Sequence, residues 1–221
     1  MLADRLTWID TTNRDRHHFL AEDDRCLFFG DFYAGRGYSG GPTNQLIKNF
    51  KRTTSEINSS PKTRQLRHYK NTAIAEVASA LRKVFTPPHL APRTFVPIPS
   101  SKESDHPDYC DRLLRSLTTA FVGYDADVRP LLRQTRSVDA DHLSAHNRIS
   151  YDDLLAITEI DRTQLRTPLR QEVVLFDDVL TSGKHFKVAR TRIQEMFPGK
   201  PILGIFVARC IHANPFEQFG D

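Results

Sequence analysis

Residues 173–185 read VVLFDDVLTSGKH. Val173 to Phe176 are apolar without alternation, the pattern of a strand buried on both faces, which in an α/β protein belongs to the middle of a parallel sheet. Asp177 and Asp178 follow directly. They are expected at the carboxyl end of that strand, facing solvent, where open α/β sheets bind ligands. Thr181, Ser182 and Gly183 then allow the backbone to turn, Gly183 because it can adopt angles other residues avoid. Beyond the turn, Phe186, Ala189, Ile193 and Phe197 recur at helical spacing and predict a helix over 184–197.

The rest of the chain repeats this alternation. Thr94 to Ile98 reads as a strand and Ile202 to Ala208 as another buried one. Ile74, Val77, Ala78, Leu81 and Val84 predict a helix from Asn71 to Phe85, closed by Pro87 and Pro88. Leu113, Leu114, Leu117 and Phe121 predict a second from Cys110 to Phe121. Val128 to Leu132 reads as a short strand, and Ser137 to about Leu169 as polar and irregular apart from a short helix. Strands alternating with helices give a right-handed, mainly parallel, Rossmann-like α/β sheet flanked by helices. The segment before Asn71 breaks the alternation: a strand at Cys26–Tyr33 (CLFFGDFY), a Gly-rich stretch, GRGYSGGP, then a short amphipathic segment, Asn44 to Arg52. Residues 1–70 are therefore expected to form a small N-terminal hood or flap over an α/β core of residues 71–221, the two making one compact unit.

A chain of 221 residues is long enough for one domain with an ample core. Its net charge of +4 suits anionic ligands without implying nucleic acid. The three cysteines, Cys26, Cys110 and Cys210, are far apart and in no metal-ligand spacing, which argues against a disulfide framework or structural zinc and fits a reducing cytoplasm. The N-terminus is charged from Asp4 onward, unlike a signal peptide, and no apolar run approaches a membrane span. A soluble, cytoplasmic protein is expected.

The chemistry starts at the turn. Backbone N–H groups converging at a helix N-terminus bind a phosphate monoester. Two carboxylates beside such a cradle point to a sugar phosphate, with acids on the ribose hydroxyls and backbone on the 5′-phosphate. The spacing is neither that of a P-loop nor G-x-G-x-x-G. A second piece is FVPIPSSK, residues 95–102, a strand ending in a loop whose Ser100, Ser101 and Lys102 supply donors for an anion.

The apolar strand, two acids and Thr-Ser-Gly turn resemble the phosphoribosyl-pyrophosphate (PRPP) motif of type I phosphoribosyltransferases, and with FVPIPSSK the resemblance narrows to the ComF-like family. Residues 44–51 (NQLIKNFK) and 132–148 (LRQTRSVDADHLSAHNR) resemble two further stretches of that family, with Arg133, Thr135, Leu143, Ser144 and Arg148 in comparable positions. The likeness spans about residues 26–212. Two departures stand out: this chain lacks the four-cysteine zinc module common in the family, and the turn ends Thr181-Ser182-Gly183-Lys184-His185 where the family has Thr-Thr-Gly-x-Thr.

The resemblance implies a type I phosphoribosyltransferase fold that binds PRPP with Mg²⁺ and transfers ribose 5-phosphate to a nitrogen acceptor with release of pyrophosphate. It places Asp177 and Asp178 on the ribose, and Lys102 on the leaving group with Ser100 and Ser101. The phosphate falls to Thr181, Ser182, Gly183, Lys184 and His185. Arg133, Arg136 and Arg148 lie in a loop able to close over the diphosphate. Mg²⁺ would be held mainly through the ligand, with Asp177 and Asp178 as the protein groups within reach. Thr181 stands where 6-oxopurine salvage enzymes carry an acid, which disfavours that acceptor without identifying another. Phe32, Tyr33 and Tyr38 are candidates to stack on a base. A second reading makes the basic stretch Lys48–Lys70 a nucleic-acid contact. The domain is then a non-catalytic or toxin-like module acting with nucleic acid or a partner protein, in the competence, mobile-element or defence settings where related domains occur. Whether it forms a homodimer stays open.

Overall fold

A computed structural model of the chain describes residues 2–137 and 149–212. Strands β1 (Thr7–Trp8) and β2 (Arg25–Tyr33) precede helices α1 (Pro42–Phe50), α2 (Thr54–Asn58), α3 (Leu66–Val84) and α4 (Pro87–Leu90). Then come β3 (Arg93–Pro97), α5 (Arg112–Ala120), β4 (Asp127–Val128) and β5 (Leu132–Gln134). The last elements are α6 (Tyr151–Ile157), β6 (Thr158–Ile160), β7 (Glu172–Leu180), α7 (Lys184–Met196) and β8 (Ile202–Ile211). Six strands form one sheet in the order β1-β2-β8-β7-β3-β4, while β5 and β6 pair as a separate ribbon. Every pairing in the main sheet is parallel except that of β1 with β2. Helices cover both faces, an α/β architecture compatible with a Rossmann-like fold.

The apolar run at the centre of β7 explains the layering. Val174 and Phe176 face a core shared with α1, α3 and α5 through Ile47, Val77, Leu81 and Leu117. Val173 and Leu175 face the opposite core, shared with α7 through Phe186, Ala189 and Ile193. All four β7 residues are fully buried, each contributing about 1.5–3 kcal/mol by the usual area estimate. Gly204, beside them on β8, leaves room for this packing, since a Cβ there would meet Phe186 and Cys26 at under 3 Å.

Several boundaries differ from the sequence reading. Residues 25–33, expected with the hood, are a strand of the main sheet, pairing in parallel with β8 from Arg25↔Leu203 to Tyr33↔Ile211. The helical stretch from α1 to the start of α3 lies outside the sheet, and α1 packs on it through Leu46, Ile47 and Phe50. β7 does not stop at Phe176 but continues to Leu180, held by β8 through Asp177↔Phe206, Val179↔Ala208 and Leu180↔Arg209. The single strand expected over Val128–Leu132 is two strands in different sheets, because Pro130 interrupts the ladder between them. α3 begins at Leu66, ahead of its apolar repeat. No helix among the described residues is long and apolar enough to cross a membrane.

The topology also locates a crevice. β3 is followed by α5, packed on one face, and β7 by α7, packed on the other. Where neighbouring parallel strands send their helices to opposite faces, their carboxyl ends diverge and open a ligand-sized gap. Here that point lies between β3 and β7.

Candidate functional site

β3 accompanies β7 only as far as Pro97↔Phe176, and the Ile98 N–H closes the last bond to the Phe176 carbonyl at 2.9 Å. The chain then turns away at Pro99, and Ser100 Oγ donates to the Lys102 carbonyl at 3.1 Å. Residues 177–180 therefore keep β8 on one side and border a cavity of about 190 Å³ on the other. Ser100, Ser101, Asp177, Asp178, Thr181, Gly183, Lys184 and His185 all line it. The strand-end acids, the Ser-Ser loop and the glycine turn expected to act together do meet in one place.

The two acids differ from the expectation and from each other. Asp178, expected to face solvent, is buried, with 4% of its surface exposed. Lys51, just after α1, donates to its Oδ1 at 3.1 Å. Arg112, the first residue of α5, reaches Oδ2 through Nε at 3.1 Å and also through Nη2. Burial by itself would raise the Asp178 pKa, but Lys51 and Arg112 together outweigh it and hold the carboxyl well below the usual carboxylate range. Asp177 is only half-buried, and its Oδ1 accepts the Asp178 N–H at 2.7 Å. Burial first, and then the negative charge of Asp178, push its pKa up to about 7. One member of the pair is a fixed anion clamped by two cations. The other exchanges a proton near neutrality and can both donate to and accept from a hydroxyl.

The turn after β7 has the form of an anion cradle. Gly183 has φ +88°, the left-handed region, and α7 begins at the next residue. The N–H groups of Ser182 and Gly183 donate to no acceptor among the described residues, and the helix N-terminus adds its partial positive charge. The N-terminal segment braces the turn from behind. Phe19 N–H donates to the Ser182 carbonyl at 3.0 Å, and buried His17 bonds the Thr181 carbonyl through Nδ1. Loss of solvent lowers the His17 pKa, which favours the neutral ring donating to that carbonyl. Lys184 Nζ donates to the Ile149 carbonyl and lies 5.6 Å from the Phe19 ring centre, so its backbone is the part at the helix start.

The remaining expected residues scatter. Lys102 lines two larger cavities flanking the loop, of about 600 and 720 Å³, rather than the small one between the strands. Arg133 lines the first of these and pairs with Glu159 at 3.3 Å. Arg136 is exposed and lines none of the three cavities. Arg148, with Leu143 and Ser144, lies outside the described residues. Lys51, Arg112, His17 and Phe19 were not foreseen. Lys51 sat inside the basic stretch Lys48–Lys70 and was grouped with it. That stretch is not one solvated face: Lys51 serves Asp178, and buried Lys70 donates to the Arg52 carbonyl at 2.7 Å and to Cys110 Sγ at 3.1 Å.

Compared with known proteins, the chain matches no protein-family model and no curated protein.

Proposed function

We propose that the chain is a type I phosphoribosyltransferase-like protein of ComF-like type, binding PRPP with Mg²⁺ and transferring ribose 5-phosphate to a nitrogen acceptor. The observation that carries this reading is the convergence of three segments on one cavity at the divergence of β3 and β7: the Ser100–Ser101 loop, the Asp177–Asp178 pair and the Thr181–Lys184 turn. Backbone N–H groups of Ser182 and Gly183 hold the 5′-phosphate at the start of α7. Asp177 hydrogen-bonds a ribose hydroxyl. Asp178 holds Arg112 and Lys51 beside the ribose rather than binding the sugar itself. Ser100 and Ser101 take the departing diphosphate, whose negative charge grows as the C1–O bond breaks, with Lys102 in the flanking cavities beside that loop.

Both Asp178 oxygens are engaged by cations, so Asp177 is the acid able to reach a metal. This donor set fits an Mg²⁺ that arrives with the diphosphate better than one caged by protein. When bound, the ion neutralises diphosphate charge and favours its departure. The alternative, a module acting with nucleic acid or a partner protein, draws on a basic stretch whose Lys51 and Lys70 point inward to Asp178, Arg52 and Cys110.

Calorimetry with PRPP and Mg²⁺, followed by a pyrophosphate-release screen over candidate acceptors, tests the proposal. Saturable PRPP binding that disappears with Asp177→Ala and Gly183→Val supports it. Salt-dependent nucleic-acid binding in a protein with no PRPP affinity would transfer the assignment to the alternative.

A further inference from the structure

The cavity of about 720 Å³ on the hood side of the Ser100–Lys102 loop adjoins the acid site, and the two share Lys51, Ser100, Ser101 and Arg112. Its size suits a small molecule. Phe32 and Ile47 give it an apolar wall. Its charge is lopsided: Lys48, Lys51, Arg52, Lys102 and Arg112 line it, against the acids Glu56 and Asp108.

Both acids are anchored at the start of α2 by neutral donors, which fix their position and leave their charge in place. Glu56 Oε2 accepts the Thr53 N–H at 2.8 Å, and Asp108 takes the Ser55 N–H and hydroxyl at 2.7 and 2.8 Å. Lys51 and Arg112 share one carboxylate, Asp178. Among the described residues, the Arg52 guanidinium donates only to neutral groups, the Tyr38 hydroxyl and Asn49 Oδ1. Lys48 is exposed and forms no ion pair among the described residues. Counting full charges, five cations around the cavity face three carboxylates, Glu56, Asp108 and the Asp178 that Lys51 and Arg112 share, so the lining as a whole is net positive.

We infer that this cavity takes the acceptor, and that the acceptor is a small planar nitrogen nucleophile carrying a carboxylate. The inference rests on the phosphoribosyl-transfer reading and adds a substrate class to it. A negatively charged nucleophile approaching PRPP is repelled by three phosphates, and a cationic wall removes that penalty. A neutral base gains nothing from the net positive lining, so the same residues, Lys48 and Arg52 among them, discriminate against it. Partly exposed Phe32 supplies the face for the ring, and the cations on and just after α1 supply the site for the carboxylate.

The experiment first measures Mg²⁺–PRPP affinity alone. It then measures binding and pyrophosphate release on the PRPP-loaded protein for three matched pairs: orotate and uracil, nicotinate and nicotinamide, anthranilate and aniline. In at least one pair the carboxylated member binds tenfold or more tightly than its neutral partner. Lys48→Glu with Arg52→Glu removes that preference and leaves PRPP affinity within threefold, while Lys48→Arg with Arg52→Lys retains it. Thermal melting checks that each variant is folded, and Lys48→Gln with Arg52→Gln serves in place of the reversal should that variant melt early. PRPP binding with no carboxylate preference in any pair, or with no member binding, overturns the acceptor class and leaves the transferase reading in place. Absence of PRPP binding overturns the transferase reading and the acceptor assignment with it.

Discussion

The first five residues of β7 and the last four obey different rules. Glu172 to Phe176 run between β3 and β8, and Val173 to Phe176 are sealed by apolar side chains on both faces. Asp177 to Leu180 continue the same strand with β8 alone and carry two adjacent acids at the edge that β3 leaves open. The first stretch is stabilised by area removed from water and gains little from any one partner. The second depends on a few charges brought from elsewhere, since a buried carboxylate is tolerable only when paired. Along one strand, the boundary between scaffold and site is the point where a neighbouring strand stops.

The sharpest way to break that comparison is Asp178→Asn set beside Leu175→Ala. The asparagine removes the counter-charge of Arg112, whose side chain is only 12% exposed, and should cost about 3–5 kcal/mol, the range for breaking a buried ion pair. Leu175→Ala opens a cavity in the sealed half and should cost about 2–5 kcal/mol. Urea unfolding reads both, and only the Asp178 term should depend on pH. Because the folded pKa of Asp178 is depressed, its contribution is complete above the ordinary carboxylate pKa near 4 and is lost as pH falls through the lower folded value. A loss under about 1 kcal/mol for Asp178→Asn would mean that the site half is held by area after all.

Gly183→Val probes the turn that ends the site half. Its φ of +88° is closed to a branched residue, and an added Cβ would lie 2.9 Å from Leu20 Cδ2. Stability should fall by about 1–3 kcal/mol from backbone strain, with loss of PRPP binding. Gly183→Val combined with Leu20→Ala should recover part of the stability, by relieving the contact, but none of the binding. Recovery of both would show that the left-handed turn is dispensable to the cradle.

Asp177→Asn should act with the opposite sign. The folded pKa of this acid is raised to about 7, so between the ordinary carboxylate pKa and 7 the folded state holds a proton that the unfolded chain has released. Wild-type stability therefore falls as pH rises through that window, and the asparagine, which never ionises, escapes the loss. The variant should match wild type near pH 4 and exceed it by about 1–2 kcal/mol at pH 8, a discounted value because the group is half-buried. Thermal melting across that range checks it, and a variant less stable than wild type at pH 8 would place the strain elsewhere.

The sealed half was legible in the sequence because burial leaves a local imprint. Val173 to Phe176, and the helical repeats of Ile74, Val77 and Leu81 or Phe186, Ala189 and Ile193, announce their elements without reference to distant residues. What could not be read there was partnership. Cys26–Tyr33 was recognisable as a strand, but its place beside β8 depends on residues nearly two hundred positions later. Asp177–Leu180 looked like the onset of a turn, because only the ladder to Phe206–Arg209 keeps those residues extended. The two cations on Asp178 come from 127 and 66 positions away. Each had an ordinary local explanation, Lys51 as one of a basic run and Arg112 as a residue of a helix's first turn. The three segments of the candidate site were legible because turns and acids are local features. The solvent-facing role given to Asp178 failed because its burial is set by α1 and α5.

The smallest expected effect is also a discriminating one. In the site half, backbone geometry and fixed charge matter more than individual hydroxyls, so Ser182→Ala should be mild where Gly183→Val is severe. Ser182 Oγ lies 3.4 Å from the Lys184 N–H, a long contact at the start of α7, and its loss should change stability by under about 1 kcal/mol. On the proposed phosphate-binding reading, the hydroxyl would add one hydrogen bond to an anion already held by N–H groups. Removing it should weaken PRPP binding by about 1–2 kcal/mol, roughly five- to thirtyfold. Inorganic phosphate, measured in parallel by calorimetry, should weaken by a similar factor, because both ligands present the same group to the turn. A loss of PRPP affinity beyond about a hundredfold, with phosphate unaffected, would mean that the Ser182 side chain reads the sugar. The cradle would then be a side-chain site rather than a backbone one, and the contrast between the two halves of β7 would have to be redrawn at Thr181.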